Sequence, residues 1–122
     1  MAKDDYDYLV FRILVYLYAC LKRKCGYDSR TLARKVAGGG VQEDYFEDVL
    51  RMMQEEGLVS GLQFTQAWGR EYLLVDGLEQ LRITPAGIRC LLDNGKMQKI
   101  EKMVTEGAPG ALLELVRLAL FS

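Results

Sequence analysis

Apolar residues recur along the first part of the chain at steps of three and four: Leu9, Val10, Ile13, Leu14, Leu17, Cys20 and Leu21. That spacing lays them along one face of a helix, expected over 4–24. Asp4, Asp5 and Asp7 stand at its positive end and Lys22, Arg23 and Lys24 at its negative end, as the macrodipole favours. Gly26 is the expected cap. The opposite face is apolar too, with Phe11, Val15, Tyr16 and Tyr18, and a helix apolar on all sides is buried on all sides. A short helix is expected over 29–37, capped by Ser29, with Leu32, Ala33 and Val36 inward. Gly38 to Gly40 form a turn. A third helix over 42–56 carries the stripe Val41, Tyr45, Phe46, Val49, Leu50 and Met53, and Gly57 stops it.

The pattern then changes. Residues 58–65 and 71–75 read as strands around a turn at Ala67 to Arg70, and Asp76-Gly77 precedes a last strand over 78–83. Thr84 followed by Pro85 is a helix start, an N-cap with proline at the position where its missing N–H costs nothing. Helices are expected over 85–93, ending at Asn94-Gly95, over 96–106 with Met97, Ile100, Met103 and Val104 inward, and over 110–121. Three helices, a wing and further helices make an α+β fold, a winged helix-turn-helix with additional N- and C-terminal helices, in one domain spanning 1–122.

In such a fold the third helix enters the DNA major groove. Its charge opposes that. The face outside the core stripe carries Glu43, Asp44, Glu47, Asp48, Glu55 and Glu56 against Arg51 alone, and a polyanion repels it. The whole chain, with 16 basic and 17 acidic residues and net charge −1, lacks the basic balance of a dedicated nucleic-acid binder. The candidate nucleic-acid contacts lie elsewhere. Lys22, Arg23, Lys24, Arg30, Arg34 and Lys35 fall within fourteen residues that hold one acid, Asp28. Trp68 and Arg70 sit at the wing tip. Groups of this kind position a protein on phosphates without reading sequence.

Catalytic chemistry finds little to stand on. The chain has no histidine, and neither GxxxxGK[ST] nor GxGxxG occurs. The glycine run at 38–40 leads into Glu43 and Asp44, which repel phosphate. The pairs Glu43/Glu47 and Asp44/Asp48 read as a solvated face rather than a cation site. Cys20, Cys25 and Cys90 contain no CxxC pair. They read as reduced thiols of a cytoplasmic protein, Cys20 and Cys90 buried and Cys25 nearer the surface. No catalytic residue, cofactor or metal is expected. The acidic start MAKDDYDY is unlike a signal peptide. The apolar run Leu9–Leu21, 13 residues interrupted by Arg12, is too short to span a membrane.

Four pieces carry a resemblance: EEGL at 55–58, LVSG at 58–61, ITPAG at 83–87 and LLDNG at 91–95. Together the run from about Gln42 to Val104 resembles the YjcQ-like family of small bacterial and prophage proteins. The resemblance implies a winged helix, no assigned activity and no catalytic residues to carry over. The step Thr84 to Gly87 is also similar to the post-wing helix start of MarR-type regulators. The long first helix and the segment from Ala111 depart from the family pattern.

The functional expectation is a non-enzymatic interaction module that binds an as yet unknown protein. The alternative is a DNA-binding regulator using the wing and helix 2. Surplus apolar surface at Phe11, Val15 and Tyr18 of helix 1, and at Leu113, Leu120 and Phe121 of the last helix, leads us to expect a homodimer through these helices. Of the last helix, Leu112, Leu115, Val116 and Ala119 are expected to face the chain's own core.

Overall fold

The all-round apolar first helix decides the architecture. In the computed structural model, which describes residues 5–37, 41–66, 72–75, 77–107 and 110–121, α1 covers Asp5–Leu21. Next come α2 (Ser29–Thr31, continuing as a π-helical turn over Leu32–Val36) and α3 (Glu43–Glu55). The strands are β1 (Val59–Ser60), β2 (Gln63–Gln66), β3 (Tyr72–Val75) and β4 (Arg82–Ile83), followed by α4 (Pro85–Asp93), α5 (Gly95–Gly107) and α6 (Gly110–Leu120). The fold is α+β and compatible with a winged helix with extra helices. α1 meets α2, α3, β4, α4 and α5, and its most extensive helix contact is with α6. One continuous core forms around it.

That enclosure corrects the expected surplus on α1. Phe11 and Val15 have no exposed surface, because neighbours from the same chain cover every side of the helix, so neither is available to a second copy. Tyr18 is part-buried against the core. On α6, Leu112, Val116 and Ala119 are buried as expected and Leu115 is part-buried. Leu113 and Leu120 are half-covered, and Phe121 is 61% exposed. The periodicity also misplaces four residues: Leu21, Ala33, Tyr45 and Met103 face solvent instead of the core.

The wing is one hairpin in two parts. β1 pairs antiparallel with β4 through Val59↔Ile83 and Ser60↔Arg82. β2 pairs with β3 from Gln63↔Val75 to Gln66↔Tyr72. The continuous strand expected over 58–65 is broken at Gly61, whose φ is +97° and whose Cα lies against the opposite arm. A Cβ there would stand 1.8 Å from the Gln80 carbonyl oxygen. Beside the break, the Gln54 side-chain amide donates to the Leu62 carbonyl and accepts from the Leu62 N–H, both at 2.9 Å. A side chain thus replaces the missing ladder partner. The strand expected over 78–83 is a turn through residue 80, and only Arg82 and Ile83 pair. The expected turns at 38–40 and 67–70, with Trp68 and Arg70, and also Asp76, lie outside the described residues.

Helix ends follow local chemistry with two exceptions. α3 stops at Gly57 in the left-handed conformation, with Gly57 N–H donating to the Gln54 carbonyl and Leu58 N–H to the Met53 carbonyl, a Schellman motif. α4 starts at Pro85 with Thr84 as its cap. α5 is capped by Asn94, whose Oδ1 accepts from the Lys96 N–H at 2.9 Å. By contrast, α1 ends at Leu21 and not Lys24, and its Schellman turn places Arg23, not Gly26, at positive φ (62°). The cap of α2 is Asp28, one residue before Ser29: its carboxylate accepts from the Arg30 N–H at 3.1 Å and from the Thr31 hydroxyl at 3.0 Å.

Two of the positive-φ sites, Arg23 and Gly61, make opposite predictions. Arg23→Gly removes a left-handed side-chain penalty and should raise stability by about 1 kcal/mol in urea unfolding. Gly61→Ala adds that penalty and drives a methyl into backbone, and should cost about 3 kcal/mol or more.

Candidate functional site

Three surfaces hold the residues singled out by chemistry. On α3, Glu43, Asp44, Asp48 and Glu55 are exposed, as is Glu56 just beyond its end. Burial raises the pKa of half-covered Glu47, and the charges of Glu43, Asp44 and Asp48 raise it further. So many like charges on one face make it self-repelling, favourable to a cation and hostile to phosphate. Arg51 offsets part of it, pairing with Glu55 at 3.0 Å and with Asp48 at 3.9 Å. Among the described residues no group of three or more His, Cys, Asp or Glu could hold a metal ion.

The basic segment is divided by the fold. Lys22 donates to the Ala119 carbonyl at 2.8 Å and lies over the Tyr18 ring, so it closes the C-terminal end of α6, where a cation is favoured. Arg23 and Lys24 are exposed in the turn after α1, and Arg30, Arg34 and Lys35 are exposed on α2. Trp68 and Arg70, the expected wing-tip contacts, lie outside the described residues.

The third surface was not visible in the sequence. A cleft of about 540 Å³ opens where the start of α1, the end of α3 and the α4–α5 elbow converge. Tyr6 and Asp7 line one side, Glu56 and Leu58 another, and Cys90 and Lys96 the third. Lys96 spans to Asp7 at 3.5 Å. Burial raises the pKa of Tyr6 and of Cys90, and the negative charges of Glu56 and Asp7 raise both further. Cys90 is therefore held as a thiol, the opposite of what a nucleophilic cysteine needs. The signal for this cleft lay in the family motifs, since EEGL and LLDNG supply much of its lining.

The cysteines also differ from expectation. All three are only half-buried, and the sulfurs of Cys20 and Cys25 are 3.7 Å apart across the turn after α1. Burial, then the hydrogen bond with Cys25, pushes Cys20 up to about 12. Burial likewise pushes Tyr16 up to about 12, although the Asp28 N–H that donates to its hydroxyl at 2.9 Å pulls the other way.

Three helices, an antiparallel wing and helices after it, with motif residues gathered at the joints, define a small winged-helix-type domain. A family model described as YjcQ protein matches residues 11–106, 96 of the 122 residues, and the chain belongs to the YjcQ family. The match reaches back to Phe11, so α1 from there on is part of the family unit and not a departure from it. A search of curated proteins and a search of solved structures each give no match. No helix among the described residues is long and apolar enough to cross a membrane.

The raised thiol and phenol values set an alkaline prediction. Below the ordinary cysteine value of 9.0, Cys20 and Tyr16 are protonated in folded and unfolded chains alike, and stability is at its full value. As pH rises past 9.0 and 10.0 toward about 12, the unfolded chain releases protons that the folded chain keeps, so stability falls. Urea unfolding across that range should show the decline, and Tyr16→Phe should make it shallower.

Proposed function

We propose that the protein is a non-enzymatic interaction module that binds a basic protein partner through the acidic face of α3. The observation that supports this most directly is the self-repulsion of that face. Burial first, and then the charges of Glu43, Asp44 and Asp48, raise the pKa of Glu47, and a lysine- or arginine-rich surface would relieve that repulsion. The reading takes a cytoplasmic setting with reduced thiols, and a prophage origin fits the small proteins this chain resembles. Tyr18, Leu113, Leu120 and Phe121, joined by Leu21, which is 55% exposed, are the residues through which we propose a homodimer. Lys22 binding Ala119 brings the ends of α1 and α6 together, so Leu21 and Phe121 fall at one end of the molecule.

A second reading, a DNA-binding regulator, draws support from the exposed bases Arg30, Arg34 and Lys35 on α2.

Titration with mixed-sequence duplex at low salt separates the two. The interaction module should bind no duplex there, whereas a regulator touching several phosphates would bind and lose orders of magnitude of affinity as salt rises. Tight binding that disappears when Arg34, Lys35 and Arg70 become alanine would overturn our first reading. In light scattering at micromolar concentration the homodimer should give twice the chain mass, and a mass of 13.8 kDa would refute it.

A further inference from the structure

Arg12 is the one charge within the apolar run Leu9–Leu21, and the fold does not use it up. Its guanidinium lies 5.4 Å from the centre of the Tyr8 ring, and its Nη2 donates to the Lys35 carbonyl across a long 3.4 Å. Its Nε is buried and has no protein acceptor. Among the described residues no carboxylate pairs with it. Buried donors are nearly always satisfied, so an orphaned one in the middle of the central helix asks for a reason.

The same side chain lines a cavity of about 310 Å³ bounded by α1, α2 and α6. Arg12 and Lys35 bring two positive charges to its lining, which contains no acid among the described residues. Leu112, Leu115 and Val36 make apolar walls, with the rings of Tyr8 and Tyr16 beside them. The wall from α2 belongs to its π-helical turn, where Ala37 N–H reaches back to the Leu32 carbonyl. Turns of this kind recur at functional sites.

We propose that this cavity binds a small carboxylate with an apolar body, about the size of a one-ring aromatic acid. The carboxylate accepts from the terminal nitrogens of the Arg12 guanidinium, in the forked geometry that this group offers. Exposed Lys35 supplies the second charge at the solvent side, and the apolar body packs between the leucines of α6 and the tyrosine rings. Phosphate would meet the charges but leave the apolar walls unused. A neutral aromatic would fill the walls but leave the charges of Arg12 and Lys35 without a counter-ion. The volume is at the lower end for small-molecule sites.

Benzoate titrated into the full chain by calorimetry tests this, with phosphate and benzyl alcohol as comparison ligands. Benzoate should bind at millimolar concentration or below and shift the Arg12 Nε–H resonance. Phosphate and benzyl alcohol should bind at least about tenfold more weakly. Arg12→Met, folded by circular dichroism, should lose about tenfold or more, and Lys35→Ala a few-fold. Absence of benzoate binding, binding without the Arg12 shift, or undiminished affinity in folded Arg12→Met overturns the proposal. If Arg12→Met does not fold, the other arms decide: phosphate or benzyl alcohol binding as tightly as benzoate, or unchanged affinity in Lys35→Ala, overturns it equally.

Discussion

Where the chain leaves α3, two carbonyl oxygens must find donors, and both find Thr84. Its hydroxyl donates to the Gly57 carbonyl and its N–H to the Leu58 carbonyl at 3.1 Å, while the same hydroxyl accepts from the Gly87 N–H at 3.0 Å. This joint brings the first turn of α4 so close to the Leu58 carbonyl that a Cβ on residue 87 would lie 2.2 Å from its oxygen and 2.8 Å from Ile83 Cγ1. Only glycine fits. The pairing of β1 with β4 starts beside the joint, and the direction of α4 against α1 is fixed by it. The joint also explains why EEGL, LVSG and ITPAG occur as motifs. They are the two sides of one contact, and their residue types are set by capping, left-handed backbone and close approach instead of by chemistry on a substrate.

How much of this was legible in the sequence depended on how local the cause is. The Thr84-Pro85 start, the Gly57 stop and the span of α4 were readable because capping is settled within a few residues. The break at Gly61 was not, since it comes from Gln80 on the opposite arm of the hairpin. Arg23 at positive φ carries no compositional signal of the kind glycine would give. The apolar periodicity found the helices but not the limits of their buried faces. Ala33, Tyr45 and Met103 lie at stripe edges, where the position of the neighbouring helix decides. The surplus expected at Phe11 and Val15 came from counting one neighbouring face for α1, which the fold encloses from several directions.

Site residues were less legible than the fold, for a related reason. Charge is readable as sequence, so the acidic face of α3 and the bases of α2 were found. What each charge does depends on geometry. Lys22 is taken up by the end of α6, while Arg12, an interruption in an apolar run by sequence, becomes in three dimensions a cation on the wall of a cavity. The cavity, the cleft beside Cys90 and the contact of Cys20 with Cys25 are all made by residues from different elements or across an irregular turn. The charged α3 face and the Arg12 cavity lie on different parts of the molecule. α1 touches α3 and also lines the cavity, so it connects the two.

Native-state hydrogen exchange tests the joint most directly. If the contact between the end of α3 and the start of α4 underpins the fold, the amides of Thr84 and Gly87 should exchange only by global unfolding. Their opening energy should then equal that of the most protected core amides of α1 and fall with denaturant along the same slope. Exchange of Thr84 and Gly87 through a smaller, denaturant-independent opening, while the α1 amides stay protected, would contradict the account.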